Sequence, residues 1–348
     1  MDPRPGLRRV ADSAVAIAQV VIAATAAYAF ATSVLGHPVP LLAVTIAVSS
    51  LGLVRDTRPR RVLETVIGMV VGILVAETIV LLAGTGWWQL ATTLAASLVI
   101  ARFLSVQPAL AVAAGIQSAI VVIMPSTPFL RLLDGIVGGV AALVVMVLVP
   151  RSPLRTVARD GRALLTAFDG TVATLVQALR RGDRLRAARG LEKARALQPL
   201  VDAWHASLAA GLATARISPV LVRQRSELER QQRVKTNLDL AVRNLRVIAR
   251  RIVYLCDDGE PRPVAAELLA ELGAGAALVA QSLDDISMEP PAREAIRAVA
   301  ARLDPAALAA GRSSVDQNLI GALRPLAVDL MIAAGMPPAD ARAAPPRV

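Results

Sequence analysis

Six side chains stand where a pathway through lipid would need them. Glu77 lies inside the apolar stretch Val62–Ala83, thirteen residues beyond Glu64, which is about 20 Å further along a helix axis. An ionisable group at that depth is costly unless it faces a cavity or a partner. It reads either as a proton-coupling carboxyl or as the cap of a polar contact near the outer surface. Arg102 sits between Ile100-Ala101 and Phe103-Leu104 at the end of an apolar run. Its planar guanidinium matches a carboxylate; the other reading is an arginine snorkelling to the interface. Arg131 precedes Asp134 by three residues, a spacing that suits an ion pair on the outer surface or, alternatively, the exit of a pathway. Gln19 and Gln117 fall within apolar runs, where amides more often bond between helices than hold substrate. Arg61 precedes Glu64 by three residues, a pair at a helix start, within the arginine-rich loop 55–61 that would form a basic entrance for anions.

Other chemistries lack the residues to carry them. No Gly-x4-Gly-Lys-[Ser/Thr] segment occurs, so a P-loop ATPase is excluded. His37 and His205, the only histidines, are too far apart in the expected topology to share a metal. Cys256 is the sole cysteine, which rules out an intramolecular disulfide. No nucleophile and base stand at a suggestive spacing. The expectation is therefore no enzyme, no cofactor and no metal centre.

The elements that must position these side chains follow from hydropathy. Hydrophobic residues make up 55% of the 348, aromatic residues only 3%, and the mean hydropathy is +0.55. A helix needs about 20 apolar residues to cross a hydrocarbon core of roughly 30 Å. Runs at about 14–35, 41–54, 62–83, 89–104, 108–124 and 132–149 predict six spans, the second of them short. The first resembles a signal peptide in its flanking arginines and its Ala27-Tyr28-Ala29, but it is too long for such a segment and more spans follow at once. Gly68 and Gly72, and Gly135, Gly138 and Gly139, are spaced for close helix approach. With the N-terminus inside, Arg131 is the one arginine of this section placed outside, so the positive-inside rule sets both termini in the cytoplasm.

Charge separates the remainder. Residues 1–150 carry a net +3, residues 151–251 a net +13 and residues 252–348 a net −5. Basicity just after the last span suits anionic lipid headgroups, and the absence of stacking aromatics or a recognisable binding motif argues against nucleic acid. Helices are expected at about 154–181, 184–215, 219–257, 263–286, 291–303 and 313–335, with no strand. Leu238, Val242, Leu245, Ala249 and Ile252 share a face, the segment from Arg223 to Lys235 is expected to project into solvent, and Asn237 and Asn244 either bond a neighbouring helix or remain solvated. The chain thus divides into a transmembrane domain (1–150), a cytoplasmic helical domain (151–336) and a Pro/Ala-rich disordered tail (337–348). The fold class is all-α: a six-helix transmembrane bundle followed by a cytoplasmic α-helical domain.

Two stretches resemble a known family. A basic loop running into a third span that reads Arg61-x-x-Glu64-Thr65-x-x-Gly68-x-x-x-Gly72 resembles the fusaric acid resistance and aromatic acid exporter superfamily, which is related in architecture to plant malate-type anion channels. Asp239–Arg251 is similar to a stretch in its bacterial single-repeat members. The resemblance implies an exporter or channel for organic anions, aromatic carboxylates among them, in the bacterial inner membrane. Many such exporters carry two copies of the unit, so one copy implies a homo-oligomer. The partners would be a second copy, anionic lipid headgroups and a small organic anion, with no nucleic acid. The alternative is a membrane anchor that transports nothing and whose cytoplasmic helices bind a protein partner or anionic lipid.

Overall fold

Runs of Ala, Val, Leu and Ile punctuated by Pro and Gly leave the backbone one economical way to satisfy its N–H and C=O groups in lipid, which is helix. The computed structural model describes residues 4–52, 59–104, 108–124, 129–149, 153–308 and 314–346, and among them there is no strand. They divide into two units, residues 1–151 with 213–223, and residues 152–212 with 224–348. That the short segment 213–223 joins the first unit was not legible in the sequence.

The first unit holds α1 (Arg4–Ser33), α2 (Leu41–Leu51), α3 (Pro59–Ala83), α4 (Trp87–Leu104), α5 (Pro108–Ile123) and α6 (Leu130–Leu148). They pack as two triplets, α1/α2/α6 and α3/α4/α5, joined by α3 against α6 and α2. α2 ends three residues earlier than expected, where Gly52 takes a positive φ of 51°. At 11 residues it is only about 16 Å long, and its buried Leu42, Ala43, Ile46 and Ala47 pack within the bundle. Glycine sets how close the helices come. A Cβ on Gly138 would lie 2.3 Å from the Ala43 carbonyl oxygen, and one on Gly139 2.3 Å from Val66 Cγ1. Gly68 and Gly72 meet Leu110 and Ala114 of α5. The paired glycines of α3 are thus spent inside the bundle.

The second unit contains α7 (Pro153–Arg181), α8 (Arg184–Arg195), most of α9 (Gln198–Ile217), α10 (Arg225–Leu255), α11 (Pro263–Ser282), α12 (Glu289–Ala300), α13 (Pro305–Leu308), α14 (Ser314–Ala333) and α15 (Pro338–Ala343). Its core is built on Trp204, Phe168, Leu164, Leu175, Leu179 and Leu228, all fully buried. α11 is long and apolar enough to cross a membrane, yet it packs on α7, α12 and α14 with two faces enclosed, which marks it as a core helix.

Three expectations are corrected here. The helix expected over 184–215 is two, α8 and α9, parted at Ala196-Leu197. The segment from Arg223 to Lys235 does not project into solvent: Leu228, Arg230, Gln231 and Val234 are buried. Arg230 bonds Glu227 at 2.7 Å and Glu289 at 2.8 Å, and such pairing lets a charge be enclosed. The tail is not disordered over 338–346: α15 forms, Ala341 is buried, and the Pro346 carbonyl accepts from Arg324. Leu238, Val242, Leu245, Ala249 and Ile252 share a face as expected, and it is fully used inside this unit.

Candidate transport pathway

The connection from α5 to α6 is fastened by two opposite charges. The Arg131 guanidinium donates from Nη1 to the carbonyls of Ile120 and Val121, both at 3.0 Å, in the last turn of α5. The buried Glu77 carboxyl of α3 accepts from the backbone N–H of Phe129 at 3.1 Å, at the start of α6. A cation at a helix C-terminus and an anion at an N-terminus each match the partial charge of the exposed peptide groups. Phe129 has a φ of 64°, and its bond to Glu77 helps hold that strained backbone.

Beside this fastening lies a buried pair. His37 Nδ1 stands 2.5 Å from Asp134 Oδ1, and both residues are buried. Asp134 therefore bonds His37 rather than forming the surface pair with Arg131 that the i, i+3 spacing suggested. Side chains three apart on a helix can meet, but the bundle turns Asp134 inward and commits Arg131 to the end of α5. The turn containing Gly36, at φ +69°, brings His37 round, and His37 N–H bonds the Ala31 carbonyl at 3.0 Å. His37, Arg131 and Asp134 line a cavity of about 210 Å3 with Leu42, Ile120 and Met124. That is smaller than most drug-sized ligand sites, and it suits a few waters or a compact anion.

The other candidates fall elsewhere. Gln19, buried on α1, donates to the Val149 carbonyl just past α6. Gln117 of α5 accepts from Thr45 of α2 at 3.2 Å and lies 4.0 Å from the Met69 sulfur of α3. Both amides thus bond between helices. Arg102 is exposed in the last turn of α4. Arg61 lies in the first turn of α3, but its side chain, like the loop residues Arg55 and Arg58, falls outside the described residues. Glu77 and Arg131 are therefore brought to one end of the bundle, and Gln19, Gln117 and Arg102 belong to separate contacts.

Sequence reasoning passed over the buried face of α4. Gln89, Thr93, Ser97 and Ala101 form that face at four-residue intervals, and the Gln89 Oε1, Thr93 Oγ1 and Ser97 Oγ oxygens have no hydrogen-bond partner. The spacing was visible in the sequence, but Ser and Thr in an apolar run ordinarily bond their own helix and draw no notice. His37 as the partner of Asp134 carried no sequence signal, since 97 residues part them.

Six apolar helices packed through glycine, with ionisable side chains enclosed among them, define a multi-pass α-helical membrane protein. Residues 10–145 match the family described as fusaric acid resistance protein-like. The likeness covers the membrane section, as the resemblance around Thr65 and Gly68 implied, and the description points to membrane transport or resistance. An uncharacterised protein of Corynebacterium glutamicum is similar to this chain, 28% identical over 265 residues, or 74% of this chain and 67% of that protein. Because the membrane helices end at Leu148, an alignment of that length runs on into the C-terminal helices.

Proposed function

We propose that the protein is a secondary exporter or channel for small organic anions, aromatic carboxylates among them, acting as a homo-oligomer in the bacterial inner membrane with both termini cytoplasmic. The observation that supports this best is the burial of His37 and Asp134, which with Arg131 line a small cavity at one end of the bundle. A bundle that only anchors the chain has little use for the buried His37–Asp134 pair, which is costly in lipid. A pathway needs polar residues that face inward. The net +13 of residues 151–251 would draw anions and anionic headgroups to the cytoplasmic side. The aromatic carboxylate comes from the family resemblance, and the homo-oligomer from the single copy of a unit that many such exporters carry twice.

The test is benzoate efflux from liposomes holding the purified full chain. The parent should carry benzoate. Arg102→Gln, which keeps length but loses charge, should lower flux several-fold at unchanged oligomeric state, and Arg102→Lys should restore part of it, because it lacks the planar fork. No flux from an intact, membrane-inserted parent would favour the anchor reading.

A further inference from the structure

Some hydroxyls on the described membrane helices bond their own helix. Thr78 donates to the Leu74 carbonyl at 2.8 Å, and Thr92 to the Trp88 carbonyl at 2.8 Å. Both are exposed and both bond four residues back on their own helix. Thr93, one residue further along α4, is fully buried and bonds nothing; Ser97, 1% exposed, also bonds nothing. Gln89 gives its amide N–H to the Ala83 carbonyl at 2.8 Å, but its Oε1 is unpartnered. Of the four orphaned buried polar atoms among the described residues of the first unit, three lie on this one face, and Ser50 on α2 is the fourth. Each would cost roughly 1–3 kcal/mol if left dry.

The face is continuous. Gln89, Thr93 and Ser97 repeat every four residues, so they lie one above another over about 12 Å, more than a third of the hydrocarbon thickness. Ala101 continues the line with a side chain too small to block it, and Arg102 follows at the end of the helix. The seam is enclosed by α3 and α5, the two helices on which α4 packs. The opposite side of α4 is apolar and open, with Val99 67% and Phe103 91% exposed.

We infer that this seam is the stretch of the pathway where the anion sheds water: the Thr93 and Ser97 hydroxyls donate to a carboxylate passing along α4, and water serves the Gln89 acceptor. The inference rests on the transport reading and adds to it the helix face that conducts. Hydroxyls suit the task because they replace hydration without a fixed positive charge that would hold the anion in place. Charge stands beyond the seam, at the exposed Arg102 in the last turn of α4.

Cysteine labelling in the same benzoate-loaded liposomes tests this. Cys256, the sole native cysteine, is buried, and burial pushes its thiol up to about 11, so it stays unreactive and can be left in place. Thr93→Cys and Ser97→Cys should react with an anionic sulfonatoethyl methanethiosulfonate faster than with its trimethylammonium counterpart, and added benzoate should slow the reaction. Val99→Cys, on the open face, should not react. Thr93→Val keeps shape and should cut benzoate flux several-fold, while Thr93→Ser keeps the hydroxyl and should retain it, which separates lost chemistry from lost folding. Benzoate flux without reaction at either position, or full flux in Thr93→Val, would overturn the inference. Reaction at both positions with the anionic preference, but no benzoate flux, would leave the seam as an anion-accessible track and remove the transport reading. Neither flux nor reaction would remove both.

Discussion

Glu77 shows how a side chain's place on its helix can be legible when its contacts are not. Its position along α3 was legible because a helix rises by a fixed amount per residue. Its acceptor bond to the Phe129 N–H was not, because that contact depends on how α6 enters after a segment with no periodicity. Glu77→Leu should strip the first turn of α6 of its anion and lower thermal stability by roughly 1–3 kcal/mol, whereas Glu77→Gln keeps an acceptor oxygen and should cost less. Thermal unfolding of the two purified variants checks the order, and equal losses would show that packing, not the bond, is what matters. Asp329 offers a second residue-scale prediction. Asn244 of α10 donates to it at 2.6 Å, which settles the open reading of that asparagine in favour of a helix-to-helix bond, while Asn237 bonds its own Arg233 carbonyl. Burial pushes the Asp329 carboxyl up to about 6 against the opposing Asn244 bond. A carboxyl raised above its ordinary 3.8 contributes stability that is present below that value and lost as pH rises through about 6. Asp329→Asn should therefore raise the unfolding midpoint at about pH 7.5 and change it little at about pH 4. Buried Trp204, in a background with Trp87 and Trp88 replaced by Phe, gives the local signal. The same shift at both pH values would exclude charge as the cause.

At the scale of elements, the six apolar helices were legible because lipid leaves so little choice, and each overlaps the span expected for it. Packing partners were less so. Gly68 and Gly72 advertise a close approach but not to what, and the structure gives them to α5 of the same chain. Such pairs look alike in sequence whether they join one chain or two. Arg223 to Lys235 misled for a related reason: its charges read as a solvated surface, but Arg230 is buried against two half-buried carboxylates, Glu227 and Glu289. Glycine gives the direct test. A methyl on Gly138 would meet backbone, the Ala43 carbonyl at 2.3 Å, and backbone cannot rotate away. Gly138→Ala should part α2 from α6 and markedly reduce the yield of folded protein. Gly170→Ala on α7, whose added Cβ meets nothing within 4 Å, should leave stability unchanged or raise it by about 0.5–1 kcal/mol. Comparable behaviour of the two in size-exclusion profiles and thermal unfolding would contradict the close packing of α2 on α6.

For the whole molecule, the open question is which way the bundle faces, because that decides whether the His37–Asp134 cavity admits substrate or releases it. An even number of spans returns the chain to the side on which it began, so one orientation fixes both ends. The turn at Gly84–Gly86 and the loop at 55–58 lie at opposite ends of α3 (Pro59–Ala83), so exactly one of them should be outside. Arg55, Arg58, Arg60 and Arg61 crowd one end, whereas the other end of the helix leads into Gly84-Thr85-Gly86 and the indoles of Trp87 and Trp88. Arginine is held on the cytoplasmic side during insertion, and indoles are at home at either interface. A membrane-impermeant maleimide added to intact cells should thus label Thr85→Cys and spare Asp56→Cys, with Asp56→Cys labelled only after the membrane is opened. Native Cys256, being buried, adds little background. That result would put the His37, Arg131 and Asp134 cavity on the far side of the membrane from the arginine loop, so that under the proposed function anions gathered at the loop leave past the cavity. Labelling of Asp56→Cys in intact cells would reverse the direction of the pathway and with it the assignment of entrance and exit.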